Sequence, residues 1–181
     1  MITIRPCETN EDFAAAADLM AELGDWDSAE TEKLGFSAQD VVDFYYAAGG
    51  APAGAYAARE GLTLLGYVEA DVGGCIAYRQ LEPAICELKR LYVRPHFRGT
   101  GLGRGLVSNL IARARAARYT CMRLETVSFM GDAIRIYEDM GFVRRAPYYA
   151  IPDIFLPITI FMEKNLKGPE DTAVSSTGHG G

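Results

Sequence analysis

Apolar residues change their spacing several times along the chain, and each change predicts an element. Ile2 and Ile4 alternate with polar neighbours, so residues 2–5 read as a short strand. Thr9 followed by Asp12 is a capping-box pattern ahead of an alanine-rich stretch, which predicts a helix to about Leu23. Residues 24–35, carrying the only tryptophan, Trp26, read as a loop. Ser37 with Asp40 repeats the capping signal before a second helix over 41–46. A loop of small residues then runs from 47 to 61. Three β-rich runs follow at 62–70, 74–81 and 84–93. Their joints, at 71–74 and at Glu82-Pro83, are turn-prone, so antiparallel hairpins are expected.

The period then lengthens. Leu102, Leu106, Leu110, Ile111, Ala114 and Ala117 recur at three- and four-residue steps, predicting a helix over 102–117. Residues 121–127 read as a strand. Ala133, Ile136, Tyr137 and Met140 mark a shorter helix that Gly141 ends in the position of a C-cap. Two last strands are expected at 142–149 and 158–165. Beyond Leu166 the chain turns polar and glycine-rich without aromatics, so 167–181 read as a disordered tail. No internal repeat is visible. The order predicts one mixed α/β (α+β) domain over residues 1–166 with about four helices.

Composition agrees with a folded domain: 181 residues are 49% hydrophobic and 10% aromatic. A net charge of −6 argues against a general nucleic-acid binder. The charges are unevenly placed, however. Residues 88–124 contain no Asp or Glu and hold nine of the eighteen bases, among them Lys89, Arg94, Arg98, Arg104 and Arg123. Such a block calls for a local anionic ligand. The four cysteines form no CxxC pair, and no leader-like segment opens the sequence, so a reduced, cytoplasmic protein is expected. Cys86, flanked by strand residues, could act as a nucleophile, but no histidine has an obvious claim to partner it. The two histidines, His96 and His179, leave little room for a metal site or a histidine-based triad. No apolar run reaches the ~18 residues of a membrane span.

The informative segment is Arg98-Gly99-Thr100-Gly101-Leu102-Gly103-Arg104, between a Leu/Val-rich strand and a helix N-terminus. Alternating glycines let backbone N–H groups converge, and the helix end adds unpaired donors and partial positive charge, which suits a phosphate. Arg98 and Arg104 would add charge. The spacing fits neither the G-x-G-x-x-G dinucleotide loop nor the Gly-Lys-Ser/Thr of a P-loop. The bland alternative is a flexible linker beside a solvated arginine face. That reading is preferred for Arg113, Arg115 and Arg118.

Arg98 to Gly103 matches the Q/R-x-x-G-x-G/A signature, and the segment resembles the GCN5-related N-acetyltransferases. The preceding run Glu87 to Pro95 is similar to that family's fourth strand. Ala133 to Phe142 resembles its later A-x-x-x-Y-x-x-x-G-F helix. The likeness covers about residues 2–166 and is sharp from 87 to 142. It implies a central, mostly antiparallel sheet with two splayed parallel strands, and acetyl-CoA as co-substrate without a metal. The 98–104 loop would hold the pyrophosphate, while Leu91 and Val93, with Tyr92 between them, would pair with the pantetheine arm as an added strand does. Direct acetyl transfer to an amine is implied, with Tyr137 protonating the leaving thiolate and Glu87 as the base; Glu125 is the second candidate base.

Each role has a plainer counterpart. Tyr137 lies on an apolar stripe where a core tyrosine is ordinary, and Glu87 could be a structural strand carboxylate. Where the family carries an asparagine after the fifth strand, this chain has Ser128. The acceptor pocket is expected from the N-terminal helices and C-terminal strands, with Trp26, Phe36, Tyr45, Tyr46, Tyr56, Tyr148, Tyr149 and Phe155. The first choice of acceptor is a small-molecule amine, followed by a protein N-terminus or lysine. A non-catalytic acyl-CoA sensor is the reading from another class. No nucleic-acid or membrane partner is expected, and a homodimer is compatible with the sequence.

Overall fold

The computed structural model describes residues 1–41, 43 and 61–168. In chain order these form β1 (Ile2–Pro6), α1 (Asn10–Glu32), α2 (Ala38–Val41), β2 (Gly61–Val68), β3 (Asp71–Glu82), β4 (Ile85–Val93), α3 (Leu102–Ala116), β5 (Cys121–Val127), α4 (Gly131–Asp139), β6 (Val143–Arg145) and β7 (Thr159–Asn165). One seven-stranded sheet runs β1-β2-β3-β4-β5-β7-β6. Every pairing is antiparallel except β4 with β5. The α3 stripe (Leu102, Leu106, Val107, Leu110, Ile111 and Ala114) is buried against one face of the sheet, together with Tyr137 of α4. Leu19 and Leu23 of α1 cover Leu65, Cys75 and Tyr92 on the other face. Among the described residues no helix is long and apolar enough to cross a membrane.

Three expectations are corrected. First, α1 does not stop at Leu23 but continues to Glu32, so 24–32 are helical rather than loop. The buried positions Leu19, Leu23 and Thr31 keep the helical spacing across Gly24. One glycine weakens a helix by only ~1 kcal/mol, which this packing overrides. Second, the β2–β3 turn is at Glu69 and Ala70, with Glu69 at φ 54°, rather than at 71–74. Gly73 and Gly74 lie inside β3 for close approach instead. A Cβ on Gly74 would stand 2.4 Å from the Tyr92 carbonyl oxygen, and one on Gly73 2.9 Å from Leu102. Third, β6 keeps only residues 143–145 of the run expected over 142–149. The small-residue loop, most of the second helix and most of the expected tail (169–181) lie outside the described residues. So do Tyr45, Tyr46 and Tyr56.

Candidate active site

β4 builds most of the site. Cys86 and Leu88 enter the core under α3, so the alternating Glu87 and Lys89 face the α1 side. At Arg90, with φ 62°, the strand bulges. The register passes from Ala77↔Lys89 to Cys75↔Tyr92, three residues of β4 against two of β3. The extra residue returns Tyr92 to the α1 side and bends the strand. β4 and β5 therefore pair over just three positions, Ile85↔Cys121, Cys86↔Met122 and Glu87↔Arg123, and then diverge.

Between the diverging strands lies a cleft of about 570 Å³, lined by Leu91, Tyr92, Val93, Arg98, Gly99, Gly101, Gly103 and Arg104. Gly99 (φ 78°) and Gly101 (φ 92°) are both left-handed, and a Cβ on either would project into open space. Gly101 caps α3, so the Gly103 and Arg104 amides in its first turn have no intrahelical acceptor. Thr100 braces the loop by donating to the Phe97 carbonyl at 2.7 Å. Leu102 is wholly buried and serves as the seat of α3 on the sheet. The concavity fits a phosphate ester with an extended arm.

Part of the basic block is neutralised by acids brought in from elsewhere in the fold. Arg94 binds Glu22 of α1 at 2.7 Å. Arg104 pairs with Asp139, and Arg123 with Glu82 and Glu163 at 2.8 and 3.0 Å. Arg98 donates from Nε to the Val93 carbonyl at 3.1 Å and lies over the Trp26 ring at 5.7 Å. Trp26 was expected at the acceptor pocket. It lines the glycine-loop cleft instead, edge-on to Phe129. Nothing in the loop sequence points to Glu22, whose partner Arg94 lies 72 residues away, and a helix ending at Leu23 would leave Trp26 in a loop.

Further in, a small pocket of about 80 Å³ is lined by Asp27, Lys89, Glu125 and Tyr137, sharing Leu23, Leu91, Phe129 and Met130 with the larger cleft. Tyr137 is 4% exposed and edge-on to Phe142. Burial pushes its phenol above the ordinary value. Glu87 is fully buried. It accepts from Arg79 Nε at 2.8 Å and from the Tyr148 hydroxyl at 2.8 Å, and Lys89 Nζ lies 3.3 Å away. Burial alone would push its carboxyl up, but the charges of Lys89 and Arg79 and these donors outweigh it and hold it below the usual value. Glu125 Oε1 accepts from Lys89 Nζ at 2.8 Å. Lys89 was missed as a site residue, although its two-residue spacing from Glu87 on a strand gives them one face. Burial pushes the Cys86 thiol up to about 12, which removes it as a nucleophile near neutral pH. Among the described residues no cluster suits a metal.

A mixed sheet opened between two parallel strands, with a glycine cradle at one end and a buried tyrosine at the other, defines an acyl-CoA-binding fold. The model of the acetyltransferase (GNAT) family matches residues 20–142, and the chain belongs to that family. It is 39% identical over 90 residues to an uncharacterised N-acetyltransferase of Schizosaccharomyces pombe, a match covering 49% of this chain and 53% of the relative. The matched stretch thus spans about half the length of that curated relative. A Klebsiella pneumoniae structure assigned to the acyl-CoA N-acyltransferases superposes with a TM-score of 0.69 at 28% identity, covering 92% of this chain and 99% of that one. An acetyltransferase-like structure from Salmonella typhimurium, solved with acetyl-CoA, shares the fold with a TM-score of 0.62 at 20% identity, covering 92% and 94%.

Proposed function

We propose that this protein transfers the acetyl group of acetyl-CoA directly to the primary amine of a small molecule. The observation that carries the reading is continuity. The glycine cradle and the Tyr137 pocket share four lining residues, which supports one extended ligand reaching from the first into the second. Acetyl-CoA supplies an activated thioester. The chain's own groups hold and move protons around it. The 99–104 amides, with Arg98, would hold the pyrophosphate. The exposed main-chain edge of Leu91 and Val93 would pair with the pantetheine amides. Tyr137, kept protonated by its burial, would give its proton to the departing sulfur. The linked carboxylates Glu87 and Glu125, bridged by Lys89, would take up the proton the amine sheds. The 80 Å³ inner pocket favours a slim acceptor group over a bulky one. Four free cysteines are compatible with a reduced, cytoplasmic setting.

The test is thiol release from acetyl-CoA across alkylamines, amino acids, polyamines, and peptides with a free N-terminus or lysine. Turnover of a small amine above all peptides is expected. Preference for a peptide would move the acceptor class to proteins. Tight acetyl-CoA binding with no turnover of any amine would replace the enzyme with a sensor.

A further inference from the structure

The glycine-loop cleft and the inner pocket meet at a neck of four apolar side chains, Leu23, Leu91, Phe129 and Met130. Two of these have their partners on opposite sides of the neck. Phe129 is met edge-on by Trp26, which lines the cleft and not the inner pocket. Met130 is met by Thr126, which lines the inner pocket and not the cleft. Methionine is an adaptable apolar side chain, unbranched and free to turn about three bonds. Here it is held at both ends. Its backbone N–H donates to the Val127 carbonyl at 3.0 Å, and its Sδ accepts from Thr126 Oγ1 at 3.5 Å. Thr126 is buried, and a buried hydroxyl that donates to a thioether fixes where that weak acceptor lies.

We propose that Met130, held by Thr126, gauges the acyl group of the thioester and restricts it to acetyl over propionyl and butyryl. Met130 is then a specificity-determining residue, and Thr126 a positioning residue that acts through it. This assignment rests on the acetyl-transfer reading above, which puts the thioester sulfur beside Tyr137. An acyl chain on that sulfur lies in the inner pocket, whose wall is divided chemically. Asp27, Lys89 and Glu125 make one part polar, whereas Leu88, Val127 and Met130 make the other apolar. A longer tail turned toward the polar part would strip water from charged groups and return no hydrogen bond. Turned toward the apolar part, it runs into the pinned Met130 side chain. The pocket, at about 80 Å³, gives it no third direction wide enough to extend in while leaving room for an amine.

The test is calorimetric binding of CoA, acetyl-CoA, propionyl-CoA and butyryl-CoA to the full chain, which needs no acceptor amine. Affinities are taken as ratios to CoA, so that any general effect on the cleft cancels. Burying a methylene in an unobstructed apolar pocket tightens binding roughly fourfold, so without a gauge affinity climbs with chain length. In the wild type it should fall instead, with butyryl-CoA bound at least about 10-fold more weakly than acetyl-CoA. Met130→Ala removes three heavy atoms where butyryl adds two. That variant should reverse the order, butyryl-CoA binding more tightly than acetyl-CoA by up to about 15-fold. Thr126→Val keeps the shape and drops the hydroxyl, and should lower the wild-type preference by about 3-fold. Met140→Ala, at a methionine outside both cavities, should leave the ratios at wild-type values. If Met130→Ala does not fold, the shorter truncation Met130→Val should move the ratios in the same direction. Butyryl-CoA bound as tightly as acetyl-CoA by the wild type would overturn the gauge. So would ratios unmoved by the Met130 or Thr126 variants, or moved equally by Met140→Ala. A wild type that binds neither CoA nor any acyl-CoA would instead overturn the underlying acetyl-transfer reading.

Discussion

Gly101→Ala separates what the glycine loop does for the fold from what it does for a ligand. Gly101 sits at φ 92° and ψ −4°, and a Cβ there would meet nothing within 4 Å. The folded protein therefore meets no clash, only the left-handed strain of an L-residue, about 1–2 kcal/mol. At about 2–4 °C per kcal/mol for a chain of this size, the melting temperature should fall by roughly 2–8 °C. The ligand effect should be larger. The methyl would stand in the cleft where a phosphate must approach the α3 amides. Losing one or two charge-assisted hydrogen bonds, each about 1.5–3 kcal/mol, predicts an acetyl-CoA affinity lower by about 100-fold. Gly35→Ala is the control: Gly35 has φ 88° with equally open space, but it lies outside the cleft lining. It should reproduce the thermal shift and leave acetyl-CoA binding untouched. Thermal melts and titration calorimetry on both variants decide the matter. Gly101→Ala binding acetyl-CoA as tightly as Gly35→Ala would refute the cradle.

Trp26 is the only tryptophan and lines the glycine-loop cleft proposed to hold acetyl-CoA, so acetyl-CoA should change the intrinsic fluorescence saturably. Arg98→Ala should alter the emission of the free protein, since its guanidinium lies over the ring; a flat titration alongside calorimetric binding would count against this geometry. Glu87→Gln removes a fully buried charge from between Arg79 and Lys89, which should destabilise by about 3–5 kcal/mol in denaturant unfolding. Because folding lowers the Glu87 pKa below 4.5, its stabilising contribution is present above that value and is lost as pH falls below it. The variant should therefore lose less stability than wild type across that acid range. Tyr137→Phe should lower kcat about 10- to 100-fold with little change in the acetyl-CoA KM. As burial holds the wild-type phenol protonated beyond its ordinary range, any basic limb of the wild-type pH profile below pH ~10 should survive in the variant.

Much of the scaffold was legible because its signals are local. The six-residue stripe of α3 and the run 121–127 report their own burial by period alone, and both elements appear where expected. The glycine loop was legible for the same reason: its donors come from adjacent residues. What escaped depends on distant partners. Trp26 and Asp27 reach the site because α1 continues past Gly24, and the reward for continuing is packing against residues about a hundred positions away. The basic block looked unbalanced in one dimension because Glu22, Glu82, Asp139 and Glu163 are remote in sequence yet adjacent in space. The face shift at Arg90 was equally hidden, since neither a glycine nor an asparagine marks that left-handed residue.

The three-position pairing of β4 with β5 has a further consequence. A sheet normally exposes unpaired backbone at its outer strands, where a neighbouring chain can add on and aggregate. Here a stretch of unpaired edge, from Leu88 to Val93, is moved to the middle of the sheet and roofed on either side by α1 and α3. Its amides stay open to something slender entering along the slit, between the apolar packing of α1 on one face and of α3 on the other. The fold thus keeps an open backbone edge inside the sheet rather than at its rim.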